Sequence, residues 1–330
     1  MPKTMRAVRV YEFGGPERLK IETVPIPKPG PCEVLIHIRY AGVNMVDSYY
    51  RRGWYRPASL PFVPGIEVAG VVARTGERVR NVAVGQRVIA VMVPGGYADY
   101  MVASSAFVAP IPDKVETVLA VSTALQGMTA FFLSHDTFRV GTGHSILIHS
   151  AASAVGAYLA SLASYAGARV IGAVSSPAKS AYARSHGCHD VIQYADSDFV
   201  SLVQRATNGE GVDVVYDFSG AETFLESLKC LRPRGLMVLC GQSSGPAAAF
   251  DPQILRTCGS LYLTRPTLTD YLKPAGQLTE IAARVWALAK DGVLEPLPIV
   301  AFPLEQAGFA HEQLADRNRI GKLLLEVGHS

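Results

Sequence analysis

From residue 117 onward, apolar runs of strand type alternate with helical stretches, and that alternation leaves very few architectures open. The runs are "SILIHS", "ARVIGAV", "DVIQY", "VDVVYDFSG" and "LMVLCG", with a helical pattern between each pair and "SLYLTRP" later. Strands that are apolar without interruption are buried on both faces, and β-α-β connections make neighbours parallel. The second part of the chain is therefore predicted to be a doubly wound parallel sheet with helices on both sides.

The first strand–turn–helix of that series, "ILIHSAASAVGAYLA" from Ile146 to Ala160, is where a dinucleotide pyrophosphate would sit. Counted back from Gly156, the three glycine slots of the general fingerprint fall on Ala151, Ser153 and Gly156. Only the third is filled. A Cβ at a position with positive φ costs about 1–2 kcal/mol, whereas at a first helical turn it costs little. Ser153 can also cap the helix and donate to a phosphate. About 20 residues on, at the end of "ARVIGAV", an NAD site would carry Asp or Glu for the ribose hydroxyls. This chain has "VSSPAKS" instead, with Ser175, Ser176 and Lys179. Hydroxyls and a cation suit a 2′-phosphate, so the expected cofactor is NADPH.

Residues 1–115 have a different character. Short Val/Ile runs ("MRAVRV", "LKIETV", "EVLIHIRYAGV", "EVAGVVART", "RVIAVM", "YADYMVA") alternate with Gly and Pro, and one helix, "NMVDSYYRRG", opens on Asn44 and closes on Gly53. Near the C-terminus, "KLLLEV" is a strand expected to pair back with this β-rich part and make it discontinuous. A formal charge of +3 on 330 residues gives no reason to expect nucleic acid or an anionic membrane as partner. The five cysteines are odd in number and widely spaced, without a CxxC, which fits a reducing cytoplasm. "MPKTMRAVRVYEF" lacks the apolar core of a secretory signal. The most apolar stretch, around 154–174, is broken by Ser161, Ser164, Tyr165 and Arg169, so a buried helix and strand explain it better than a membrane span.

The stretches "FGGPERL", "GVNMVDSYYRRGWY", "LPFVPGIEVAGVV", "GMTAFF", "HSAASAVG", "YDFSG", "RGLMVLCGQSSG", "GSLYLTRPTL" and "AHEQLADRNRIGKLLL" run in order along the chain. With them the sequence resembles the zinc-independent quinone oxidoreductases, the zeta-crystallin-like group of the medium-chain dehydrogenase/reductase superfamily. The resemblance implies an α/β protein with a discontinuous β-rich GroES-like catalytic domain (1–124 and 268–330), a Rossmann NADPH-binding domain (125–267) and a cleft between them. It implies that Asn44 and Asp47 lie at the nicotinamide end and that Tyr49 and Tyr55 line the substrate site. Thr129 faces the nicotinamide ribose or carboxamide. Ser153 and Ala154 stand where the family has glycines, and Val155 and Gly156 cover the pyrophosphate. Ser175 or Ser176, Lys179 and Tyr194 hold the adenosine phosphate. Gly241, Gln242 and Ser243 approach the nicotinamide side, and Arg317 or Lys322 closes on the cofactor. The resemblance also implies a homodimer, for which the apolar strand in "GSLYLTRP" offers an edge. Metal-dependent relatives carry Cys near Asn44 and Gly-His-Glu where this chain has Gly65-Ile66-Glu67. Zinc needs three or four N, S or O ligands, so no metal is expected.

The expected activity is NADPH-dependent quinone reduction in the cytoplasm, with Tyr49 or Tyr55 donating to the oxygen that gathers charge and Asn44 assisting. The alternative on the same fold is an enoyl or alkenal reductase, which needs a proton donor such as Tyr55. A remote alternative is a serine hydrolase: "GQSSG" is a literal G-x-S-x-G around Ser243, with Asp270 or Asp291 and His311 downstream. Against it, Pro246 and Pro252 follow where a nucleophile elbow needs a helix. A protein that binds NADPH without turnover, or binds RNA, is a third reading, disfavoured by the near-neutral charge. Asn44 could equally be only a helix cap, and Tyr49 and Tyr55 only packing aromatics. Asp217 and His149 read as structural.

Overall fold

The computed structural model describes residues 2–194, 198–273, 276–316 and 318–328. Two compact units divide the chain: residues Met1–Met128, Leu272–Ala287 and Pro296–Ser330 form the first, and Thr129–Tyr271 with Leu288–Glu295 the second.

The first unit begins with β1 (Thr4–Arg9), β2 (Lys20–Pro25) and β3 (Glu33–Val43), followed by α1 (Met45–Arg52). β4 (Glu67–Thr75), β5 (Arg87–Val91), β6 (Tyr100–Ser104) and β7 (Val108–Pro110) continue it. α2 (Thr117–Phe132) leads onward and ends in a wider helical turn, Leu133–Thr137. This 21-residue stretch has a mean hydropathy of 1.4, yet 78% of its apolar window is buried inside the protein, as a core helix requires. Among the described residues the longest apolar helix thus lies here, upstream of the 154–174 stretch that the sequence singled out.

The second unit alternates β8 (Ser145–His149), α3 (Ala154–Tyr165), β9 (Arg169–Val174), α4 (Pro177–Ser185), β10 (Asp190–Gln193), α5 (Phe199–Ala206) and β11 (Val212–Asp217). After it come α6 (Phe224–Ser227), β12 (Leu231–Leu239), α7 (Gln253–Thr257), β13 (Tyr262–Thr264) and α8 (Leu268–Tyr271). The chain closes with α9 (Gln277–Lys290), β14 (Ile299–Pro303), α10 (Ala307–Ala315) and β15 (Lys322–Glu326).

The second unit's sheet is parallel throughout, in the order β10-β9-β8-β11-β12-β13. Numbered within the unit this is 3-2-1-4-5-6, the Rossmann order, whose direction reverses between β8 and β11. Ile146, Leu147 and Ile148 of β8 and Val214, Val215 and Tyr216 of β11 are fully buried. Both faces of the sheet are therefore covered, as the unbroken apolar runs require.

In the first unit the strands run β14-β15-β3-β4-β5-β7, and β6 also pairs β3. All of these pairs are antiparallel except β14 with β15. Leu323, Leu324, Leu325 and Glu326 of β15 stand opposite Val43, Gly42, Ala41 and Tyr40 of β3. The C-terminal strand does complete the N-terminal sheet. Its core gathers Val34, Ile36, Ile38, Val68, Val88 and Leu325 from strands hundreds of residues apart in the chain.

Candidate functional site

In the first unit, polar groups that the sequence disperses meet at the start of α1. Asn44 is the N-cap, extended at φ −127° and ψ 152°. Asp47 accepts from the Asn44 amide at 2.9 Å, half of a reciprocal capping box. The Asn44 side chain is enclosed. Its Oδ1 accepts from Gln126 Nε2 at 2.6 Å and from Lys322 Nζ at 2.8 Å, and its Nδ2 donates to Glu67 Oε2 at 3.1 Å. An ammonium can only donate, which fixes the carboxamide's orientation. Both Oδ1 lone pairs are then used, and one Nδ2 N–H has no partner among the described residues.

Glu67 and Lys322 form the centre of this network. Nζ lies 2.5 Å from Oε2, and the side chains are 0% and 2% exposed. The other carboxylate oxygen accepts from the Leu125 amide at 2.8 Å. Gly42 makes the room: a Cβ there would stand 1.9 Å from Glu67 Oε2. Burial pushes the Lys322 ammonium below its ordinary value while Glu67 beside it pulls the other way. Lys322 is thus the internal counter-ion of Glu67, with Nζ also on Asn44 Oδ1. The other candidate, Arg317, lies outside the described residues.

Asp47 is fully buried, and its Oδ1 has no hydrogen-bond partner. Tyr97 Oη stands 3.3 Å from Oδ2 and 3.0 Å from His311 Nε2. Burial pushes the Asp47 carboxyl up to about 7, and burial together with Arg51 and Arg52 pushes His311 down to about 3. An acid with a raised folded value stabilises the fold most below its unfolded value of 3.8, and that contribution is lost as pH rises through about 7. His311 has the opposite sign: its contribution is present above 6.5 and lost as pH falls towards about 3. The melting temperature of Asp47→Asn minus that of the parent is therefore expected to grow between pH 3.8 and about 7, since His311 cancels in the difference. A flat difference would mean that Asp47 titrates normally.

Tyr49 and Tyr55 are brought together at the other end of α1. Gly53 turns the chain in the left-handed region at φ 77°, so that the Trp54 and Tyr55 amides both donate to the Tyr49 carbonyl, at 2.9 and 3.2 Å. The Trp54 ring stacks on Tyr49 at 5.4 Å, and Tyr55 meets Tyr49 edge-on at 5.6 Å. The aromatic wall is thus a product of one glycine turn.

In the second unit, β8 leads into Ser150, which takes φ 53°. Ser153 then caps α3 at φ −74°, its Oγ accepting from the Gly156 amide at 3.1 Å. Neither Ser153 nor Ala154 stands in the left-handed region, so the missing glycines carry no conformational cost there. Gly156 is needed: a Cβ would lie 2.4 Å from the Ser150 carbonyl oxygen and 2.9 Å from Ala151 Cα. It is the helix–strand packing glycine. The amides of Ala154 and Val155, in the first turn, have no intrahelical acceptor.

Beyond β9, Ser175 is exposed and Ser176 is the N-cap of α4, with Lys179 half-buried in its first turn. Tyr194 turns inward. Its hydroxyl lies 3.0 Å from both the Ser150 amide and His149 Nδ1, so it braces the turn. His149 is fully buried, with Nε2 on Ser227 Oγ at 2.8 Å, and burial lowers its pKa. Asp217 accepts from the Ser219 and Gly220 amides and from Thr223 Oγ1, and so shapes the turn after β11. Gly241 and Ser243 bond back to the Asp217 and Phe218 carbonyls. Gln242 is held by Arg265, whose Nη2 donates to Oε1 at 3.0 Å and whose Nη1 donates to the Leu239 carbonyl at 2.9 Å. Sequence reasoning passed over Arg265 and Gln126 and named Glu67 only in noting the missing Gly-His-Glu; a contact in space singles them out. Thr129 stands half-buried in α2, where the chain passes from one unit to the next.

The hydrolase reading is overturned. No helix follows Ser243 before Gln253, and His311 is 1% exposed and engaged with Tyr97. Among the described residues no three His, Cys, Asp or Glu side chains are grouped as a metal site.

Residues 30–113 match the alcohol dehydrogenase GroES-like domain, and residues 154–283 match the family described as zinc-binding dehydrogenase. The chain is 36% identical to a quinone oxidoreductase of Pseudomonas aeruginosa, covering 97% of this chain and 99% of that one. It is also 36% identical to a 2-haloacrylate reductase of a Burkholderia species, over 97% and 98%. The Escherichia coli quinone oxidoreductase, solved in complex with NADPH, superposes with a TM-score of 0.94 at 33% identity, over 97% and 99% of the two chains. With the Rossmann order, the GroES-like match and this full-length similarity together, the chain belongs to the quinone oxidoreductases of the medium-chain dehydrogenase/reductase superfamily.

Proposed function

We propose that this protein is an NADPH-dependent quinone reductase that uses no metal. The observation that carries the cofactor is the acid-free "VSSPAKS" at the end of β9, in a sheet of Rossmann order. The residues fit the group. Gly156 keeps the α3 N-terminus against the β8 turn, where Ser153, Ala154 and Val155 offer cap and amides to a pyrophosphate. Ser175, Ser176 and Lys179 offer hydroxyls and a cation to the 2′-phosphate. When bound, NADPH supplies the hydride. Thr129, Asp47 and the uncommitted N–H of Asn44 orient the nicotinamide end, with Gly241, Gln242 and Ser243. Tyr49 or Tyr55 donates a hydrogen bond to the quinone oxygen that becomes an oxyanion. The first unit is then the catalytic domain and the second the cofactor domain.

A second reading, reduction of an activated double bond, is favoured by the 36% identity to the 2-haloacrylate reductase. There Tyr55 would have to deliver a proton to the α-carbon. One panel separates the readings: NADPH and NADH against 1,4-benzoquinone, phenanthrenequinone, 2-enoyl thioesters and alkenals. The expected result is quinone turnover with NADPH, with a preference over NADH that falls at least about tenfold in Lys179→Ala. Inert quinones, with enoyl reduction abolished by Tyr55→Phe, would establish the second reading instead.

The proposal extends to a homodimer in the cytoplasm. β13 is the sheet's edge, with Tyr262 62% exposed, and such an edge invites pairing with a second copy. The five cysteines are free, as in a reducing compartment. Elution from a sizing column as a single 35.3 kDa chain would count against the dimer.

A further inference from the structure

The segment "YYRRGWYR", Tyr49 to Arg56, carries three arginines among four aromatic residues. Several arginines elsewhere on this unit find hydrogen-bonding partners: Arg6 pairs with Asp99, Arg9 with Glu22 and Arg18 with Glu12, while Arg80 and Arg87 donate to backbone carbonyls. Arg52 and Arg56 do not. Both are exposed, and their guanidinium carbons stand only over ring faces, Arg52 over Trp54 at 5.2 Å and Arg56 over Phe13 at 4.9 Å. Among the described residues neither carries an ion pair. Arg51, between them and the core, is 1% exposed, and its Nε and Nη1 have no hydrogen-bond partner. Glu17 offsets part of the Arg51 charge, but among the described residues no carboxylate pairs with Arg52 or Arg56, so positive charge predominates at this end of α1. Cations in the last helical turn are favoured by the helix dipole, which accounts for Arg51 and Arg52 but not for Arg56, beyond the helix. A guanidinium parked on an exposed ring is held weakly, and an arriving carboxylate or sulfonate offers it a stronger bidentate partner.

We propose that Arg52 and Arg56 make this enzyme selective for acceptors that join a planar unsaturated ring to an anionic group, such as a quinone bearing a carboxylate or sulfonate. The flat part lies on the Tyr49–Trp54–Tyr55 wall, and the anion draws one or both guanidiniums off their rings. This rests on the reading of Tyr49 and Tyr55 as the acceptor's wall.

Two measurements on the purified full chain test it. The first is calorimetric binding of 2-naphthalenesulfonate, a planar anion that takes no hydride, with neutral 2-naphthol as control. The sulfonate is expected to bind more tightly than the naphthol, and R52Q/R56Q to weaken it about tenfold, with R52K/R56K recovering part of the loss. The second is NADPH-dependent turnover of 1,2-naphthoquinone-4-sulfonate against 1,2-naphthoquinone. The ratio of their kcat/KM values is expected to fall about tenfold in R52Q/R56Q. The single variants R52Q and R56Q, checked by circular dichroism, keep the test valid if the double variant unfolds. Absence of sulfonate binding, or a binding constant and a kcat/KM ratio that both stay within about twofold, overturns the inference. Arginine-dependent sulfonate binding with no quinone turnover would uphold it and overturn quinone reduction; turnover without arginine dependence would do the reverse.

Discussion

Lys322→Met is expected to destabilise the protein by about 3–5 kcal/mol, the usual cost of leaving one charge of a buried pair without its partner. Glu67 is 0% exposed and would keep a carboxylate facing methyl groups, while Asn44 Oδ1 would lose one of its two donors. Methionine fills much the same volume, so the loss is electrostatic and not a cavity. Adding Glu67→Gln should restore part of the stability, because an amide is far cheaper to bury than an unpaired carboxylate. Urea unfolding of the parent, the single variant and the double variant at neutral pH reads both effects. A cost under about 1 kcal/mol for Lys322→Met would mean that water reaches Glu67 and that the pair behaves as a surface one.

The second large effect is expected at Gly156. A valine there would bring Cβ to 2.4 Å from the Ser150 carbonyl oxygen and 2.9 Å from Ala151 Cα. Both are backbone atoms, so neither can swing aside. Either α3 lifts from the β8 turn or the turn opens, at a cost of about 1–3 kcal/mol for overpacking. In the first case the Ala154 and Val155 amides move with the helix, in the second the turn that faces them does, and NADPH affinity should fall more than about tenfold. Fluorescence titration with NADPH measures it. Parent-like affinity would show that the pyrophosphate does not depend on this turn. By contrast, Ser153→Gly and Ala154→Gly should change stability by only a few tenths of a kcal/mol, since neither residue is strained.

The parallel sheet was legible because each strand buries both faces and the pattern needs no partner to be read. The α1 boundaries were legible for a local reason too: Asn44 and Gly53 are the cap and the left-handed stop, both encoded within ten positions. β14 was hidden in a proline-rich stretch whose exposed edge leaves no apolar alternation. The Asn44–Glu67–Gln126–Lys322 network was illegible for a different reason. Its members are separated by as many as 278 positions, and nothing in the residue types distinguishes a lysine that neutralises a buried glutamate from one that meets a phosphate. The bond at Tyr194 was illegible for the same reason: sequence can put a hydroxyl near the cofactor strand ends, but only packing says that it meets the Ser150 amide. The glycine fingerprint fits only in part because it describes slots, whereas the chain turns with a left-handed Ser150, a capping Ser153 and one true glycine.

The place of β15 between β14 and β3 has a bearing on how the protein is made. Residues Thr129–Tyr271 are a contiguous piece with a sheet of their own, able to close while the ribosome is still translating. The first unit cannot. Its N-terminal strands emerge first, yet Glu67 waits, unneutralised, for a lysine more than 250 residues later. The oldest part of the nascent chain is therefore completed only when its last strand, β15, has been made.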